Sequence, residues 1–305
     1  GAYTPLQLQA LGADPMKVRI PGRDLPDDYM WQLVEEEVLQ PQDYDKISEM
    51  GFDRFYHEDY LARISNLTKD DVNREMGALL TTGVRFLAEC DKRKVKPFFM
   101  GTGMHPFFTL SLMRSMVAFT KDLYYHPEPV ERAIKRMTAD VIASQIPFAK
   151  EFGLGTLLIT EERACAYFYP PRVFERFWWP YTKQIVSAFW SEGIVTIFHL
   201  DQCWDKNIRY FCELPKGSFV LELDSKTDIF AAKDVLRGHA CFHGDVPAAL
   251  LSVGTPDEVR DYCRRLISGA GDDGGLILGS GCAVPCNVKP ENFRAMIETG
   301  KNTKA

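Results

Sequence analysis

Two buried runs in this chain end in residues that bind metals. Ile194-Val195-Thr196-Ile197-Phe198 leads into His199-Leu200-Asp201-Gln202-Cys203. Leu276-Ile277-Leu278 leads through Gly279-Ser280-Gly281 to Cys282. Each apolar run reads as a buried strand, and each is followed by an open loop. Imidazole nitrogen, carboxylate oxygen and thiolate sulfur are zinc donors, and three of them leave a fourth position for a substrate. His199 and Cys282 are the first candidate ligands, with Asp201, Cys203, Glu161 or Glu162 as the third. In an extended His-Leu-Asp the two outer side chains point the same way. That favours Asp201 over Cys203, which needs the loop to turn back. Cys286 is a substitute whose path after Pro285 is open. A single cysteine or histidine after a strand is more often an inert packing residue; the pairing of two strand ends is what points to a metal.

Other strand ends carry candidates of a different kind. Glu161-Glu162 follows the run Gly155 to Thr160 and reads as ligand, general acid or solvated loop. His243-Gly244-Asp245 follows Ala240-Cys241-Phe242 and reads as a polar pocket wall, or as a cap on the next helix. The catalytic candidates are therefore Glu161, Glu162 and His243. Met104, His105, Phe107, Phe108, Tyr167, Phe168 and Trp204 fall in loops after strands. They suit an aromatic-lined mouth for a planar apolar substrate, or else loop-to-loop packing. Arg23, Met104, His105, Phe107, Tyr167 and Trp204 are the candidate substrate contacts.

The elements that must position these residues alternate. Strands are predicted at Met16–Ile20, Phe52–Tyr56, Lys96–Met100, Gly155–Thr160, Ile194–Phe198, Ser218–Leu223, Ala240–Phe242 and 275–279. Helices are predicted between them, among them Gln42–Met50, Leu110–Leu123, Pro129–Phe152 and Pro171–Glu192. A long helix opens after Thr68, and another is capped by Thr255. Strand and helix alternating in this way predict an α/β fold, a single (β/α)8 TIM barrel whose site lies at the C-terminal face of its strands. Arg23, His57, His105, Glu161, His199, Asp224, His243 and Cys282 would converge there. An open doubly wound sheet is the alternative, but no Gly-x-Gly-x-x-Gly follows the first strand.

Composition narrows the class. The chain has 305 residues, 46% of them hydrophobic, with a formal charge of −6. No basic stripe suits nucleic acid, and no apolar run reaches membrane-span length. Eight scattered cysteines without small-disulfide spacing suggest a reduced, cytoplasmic protein. The first residue is Gly1 rather than Met, which leaves open whether the natural N-terminus is present.

The chain resembles the uroporphyrinogen decarboxylase superfamily. Arg19-Ile20-Pro21-Gly22-Arg23-Asp24-Leu25-Pro26 is similar to that family's early Arg-x-x-Gly-Arg-x-Leu-Pro loop. Pro171, Phe174 and Pro180-Tyr181, the Gly244-Asp245 turn, the Leu250 to Val259 segment and the ending from Gly281-Cys282 to Asn292 add to it. The resemblance covers roughly residues 16 to 300. It implies a (β/α)8 barrel. The decarboxylase itself needs no metal and has a His-containing loop where this chain has Gly279-Ser280-Gly281-Cys282. That loop is similar instead to the zinc methyltransferases that work with corrinoid proteins. In their coenzyme M branch a His-x-Cys after the fifth strand and a Cys after the eighth hold zinc. His199 and Cys282 match, while Asp201 replaces the middle cysteine. The O-demethylase methyltransferases look closer. The resemblance thus implies Zn2+, a corrinoid carried by a partner protein and a small methoxylated aromatic substrate, with a homodimer left open. The alternatives are a metal-free decarboxylase using Arg19 and Arg23, a methylcobamide:thiol methyltransferase, or a non-catalytic tetrapyrrole-binding module.

Overall fold

Apolar runs become strands in this chain, and segments of helical spacing separate them. The computed structural model describes Gln7, Gln9 and residues 15–27, 29, 31–98 and 101–303. Two units emerge, Gly1–Leu157 with Pro180–Ile185, and Leu158–Trp179 with Val186–Ala305.

In the first unit, Lys17–Arg19 (β1) and Gln32–Val34 (β2) pair antiparallel, Val18 opposite Leu33. The run Met16–Ile20 is thus a strand, but of a separate two-stranded sheet. Phe52–Tyr56 is a correction: it is helical, with Phe52–Phe55 followed by a π-turn, Tyr56–Tyr60. A five-residue window reads as alternating. Extended to Ile64, the buried Phe55, Tyr56, Tyr60, Leu61 and Ile64 follow helical spacing, and that period wins. His57 therefore lies on a helical turn, near Asp53 at 3.7 Å, and not at a strand end.

The helix Lys69–Lys92 starts with a capping box. Thr68 accepts from the Asp71 N–H while the Asp71 side chain accepts from the Thr68 N–H. Such a cap is worth about 1 kcal/mol. The next strand is Gly101–Met104 (β3), later than the predicted Lys96–Met100, of which Phe99 and Met100 lie outside the described residues. The single helix predicted over Leu110–Leu123 is two, Pro106–Arg114 and Met116–Tyr125, broken at Ser115 with φ 67°. Pro127–Glu151 is one long helix. β3 is followed in sheet order by Thr156–Glu161 (β4), whose first two residues belong to this unit.

The second unit holds the rest of β4, then Val195–Leu200 (β5), Phe219–Leu223 (β6), Cys241–Val246 (β7) and Leu276–Ser280 (β8), side by side in chain order. β5 to β8 pair in parallel, each strand with the next. Of the eight predicted strands, Met16–Ile20 is β1 of the separate pair and Phe52–Tyr56 is helical; among the described residues one sheet runs from β3 to β8, and β2 is a strand that was not predicted. The helix predicted over Pro171–Glu192 breaks at Trp178, because Pro180 starts a new first turn. Beneath the strands lies an aromatic core of Phe174, Trp178, Trp204, Phe198, Phe211 and Phe219. A second capping box, Thr255 with Glu258, opens Pro256–Ala270. Among the described residues no helix is long and apolar enough to cross a membrane.

Candidate metal centre

Parallel register puts three ionisable side chains in a row. His199 of β5 stands beside Glu222 of β6, and Glu222 beside His243 of β7. Neighbouring strands lie about 4.8 Å apart, so side chains at matched positions on one face meet. Glu222 bridges the two rings, its Oε1 2.7 Å from His199 Nδ1 and its Oε2 2.9 Å from His243 Nδ1. With Nδ1 held by the carboxylate, His199 turns Nε2 toward Asp201, 3.4 Å from Oδ1. Cys282 Sγ lies 3.9 Å from Asp201 Oδ2.

Ligand atoms of His199, Asp201 and Cys282 all fall within 4.8 Å of one another. Asp201 Oδ1 is a buried oxygen that accepts no hydrogen bond. Buried oxygens without a donor are costly unless something else satisfies them, and a cation does so. One nitrogen, one oxygen and one sulfur, with the imidazole braced from behind by a carboxylate, fit zinc with an open fourth position. Burial disfavours the charged form of His199, but Cys282, Glu222 and Asp201 outweigh it and raise the imidazolium to about 11. The same surroundings that hold a proton there would hold a metal ion in its place. Burial also works against Glu222, yet the two histidines hold its carboxyl down to about 2. Asp201 is pushed up, by burial first.

Local structure explains the placement. Cys282 is set by Gly281, whose N–H donates to Val246 O at 2.9 Å, and by Ser280 Oγ, which donates to the Cys282 carbonyl at 2.7 Å. Gly279 leaves room for His243: a Cβ there would run into the ring nitrogen Nε2. A Cβ on Gly281 would sit 3.0 Å from the Asp224 backbone.

The remaining candidates fall in several places. Cys203 donates to Asp205 Oδ2 at 3.2 Å and is not among the three gathered ligands. Glu161 is fully buried and takes the N–H groups of Arg163 and Ala164 at 2.8 and 3.0 Å; burial raises it to about 8. It ties the turn after β4, a placement that suits positioning better than proton transfer. Glu162, the next residue, is half-buried and feels Asp201, His199 and Asp224; burial first, then Asp201, raises it to about 7. Trp204 lies in the core, its indole N–H donating to Asp201 O at 2.8 Å. A fully buried side chain lines no open mouth. Tyr167 is 68% exposed, edge-on to Phe168. Asp245 caps no helix: it accepts from Tyr262 Oη at 3.0 Å, and the following helix is capped by Pro247 without a side-chain bond.

In the first unit, His105 is fully buried. Its Nδ1 accepts from Phe107 N at 3.2 Å, capping Pro106–Arg114, and its Nε2 lies 3.2 Å from Thr182 Oγ1; burial drives it down to about 3. Phe107 is fully buried against Phe119. Met104 packs on Met16, Phe108 and Leu112. These are core contacts, because polar and aromatic residues after a strand serve helix starts as readily as pockets. Arg23 is exposed and paired with Asp24 at 2.8 Å, beside a cavity of about 740 Å³ that Lys17 and Arg19 also line.

Glu222 was not a candidate from sequence. Its signal was a lone carboxylate inside Phe219-Val220-Leu221-Glu222-Leu223, one position before the strand ends.

The match to the family described as uroporphyrinogen decarboxylase (URO-D) spans residues 57–303. The chain belongs to that family. Within it, curated relatives include the methylcobamide:CoM methyltransferase MtbA of Methanosarcina acetivorans, 25% identical over 154 residues, which are 50% of this chain and 44% of that protein. The MtbA of Methanosarcina mazei is 24% identical over 175 residues, 57% of this chain and 50% of the relative. The chain spans about half the length of these relatives. Among solved structures, a methyltransferase from Methanosarcina mazei superposes with a TM-score of 0.67 at 16% identity, over 97% of this chain and 77% of that one. The similarity is thus to methyltransferases, the branch that the Gly279–Cys282 loop resembles.

Proposed function

We propose that this chain is a zinc-dependent methyltransferase, on a (β/α)8 barrel, that moves the methyl group of a methoxylated aromatic to the Co(I) corrinoid of a separate protein. The observation that carries the reading is the gathering of His199, Asp201 and Cys282. Family membership and the similarity to corrinoid-linked methyltransferases support it. Zinc held by these three residues would supply Lewis acidity toward the ether oxygen. Glu222 holds His199 in the orientation that keeps Nε2 on the ligand side. Glu162, whose carboxyl is pushed up by burial and then by Asp201 in the metal-free protein, is the acid that would deliver a proton to the oxygen that leaves as the methyl departs. Asp201 in place of a second thiolate makes the ligand set harder, which suits an oxygen leaving group.

A second reading, methylcobamide:thiol methyl transfer, has the names of the MtbA relatives in its favour. A panel of methoxybenzenes with reduced corrinoid protein separates the two. O-demethylation gives the phenol and methylated corrinoid. Thiol methylation from methylcobamide, with no methoxybenzene consumed, would exclude the first reading. The acid role has its own signature: activity should fall as rising pH deprotonates Glu162. Glu162→Gln should lose about 10²-fold in kcat and lose that alkaline limb. An unchanged pH profile in the variant would remove Glu162 from the mechanism.

A further inference from the structure

We infer that Asp224 and Thr227, after β6, are positioning residues that hold the loop after β5 in the one path that brings Asp201, and not Cys203, to the metal. The inference rests on the metal reading above. Gln202, between the two rival ligands, has φ 72°, a left-handed conformation that L side chains rarely adopt. Left alone, such a residue relaxes and the loop swings. It is held on both sides. Its N–H donates to Asp224 Oδ2 at 2.9 Å, and its carbonyl accepts from Thr227 Oγ1 at 3.0 Å. Asp224 is itself fixed, since its Oδ1 takes the Lys226 N–H at 2.9 Å. Thr227 Oγ1 also accepts from Trp204 N at 2.9 Å, and the Trp204 indole returns to the Asp201 carbonyl at 2.8 Å.

Further along, Asp205 Oδ1 accepts from Asp228 N at 2.9 Å while its Oδ2 accepts from Cys203 at 3.2 Å. Four hydrogen bonds between the two loops therefore aim Asp201 inward and commit the Cys203 thiol to Asp205. Thr227 is buried, whereas Asp224 is only half-buried, so a variant of the latter leaves the core intact.

The test titrates zinc, and separately Co(II), into metal-free protein. Thiolate-to-Co(II) absorption counts sulfur ligands, and the d–d bands report geometry. The wild type should take up one metal with one thiolate. Asp224→Ala should bind zinc about 10- to 100-fold more weakly and show altered Co(II) bands. Asp224→Asn, which keeps one acceptor oxygen for Gln202 but sets an amide NH2 against the Lys226 N–H, should recover part of both. Thr227→Val carries the expectation of Asp224→Ala and serves as the test if circular dichroism shows that variant unfolded. Folded Asp224→Ala and Thr227→Val with wild-type zinc affinity and Co(II) spectrum would overturn the inference while leaving the metal reading standing. Wild-type protein that takes up no metal would overturn both.

Discussion

Glu222→Ala is expected to lower the unfolding free energy of the metal-free protein by about 3 kcal/mol near neutral pH, and to weaken zinc binding as His199 loses its brace. The carboxylate is 12% exposed and sits between rings that are 16% and 18% exposed. Removing it takes the carboxylate away from the Nδ1 atoms of both rings in a half-dry row. The direction with pH follows from the carboxyl's displacement. Its ordinary value is 4.5 and the folded value is about 2. The folded state therefore holds fewer protons than the unfolded chain in that window. The stabilisation is fully present above about 4.5 and is lost as pH falls toward about 2. Urea unfolding of wild type and Glu222→Gln across that range should show curves that differ near neutrality and converge in acid. Parallel curves throughout would mean that no charged carboxylate is held there.

Trp204→Ala is expected to cost about 3–5 kcal/mol, the range for emptying a large aromatic site in a packed core. The indole is fully buried, 5.3 Å from Trp178, and its N–H holds the Asp201 carbonyl. Trp204→Phe keeps most of the apolar volume and loses the N–H, so about 1 kcal/mol is expected, with a larger share of its effect on zinc affinity than on stability. Denaturant midpoints and zinc titrations of the two variants separate packing from positioning. An alanine variant within 1 kcal/mol of wild type would contradict the assignment of Trp204 to the core.

The last five strands were legible because each contains an apolar run next to a turn, although β7 runs on through His243-Gly244-Asp245, which by sequence alone falls after the strand. Phe52–Tyr56 was not, since five residues cannot separate a period of two from one of 3.6 and the deciding Tyr60 and Ile64 lie beyond the window. His199, Asp201 and Cys282 could be proposed together because each lies at or just past a strand end, where loops meet. Trp204, His105 and Phe107 lay at similar positions and turned out to be buried, because burial is a property of the whole fold and not of spacing. Glu222 was hidden for the complementary reason. Its chemistry depends on register with His199 and His243, which are 23 and 21 residues away, and no local pattern carries register.

Metal analysis of purified protein tests the centre most directly. About one zinc per chain is expected in the wild type, and loss of that zinc in His199→Ala and in Cys282→Ala. Zinc retained in full by both variants would contradict the account.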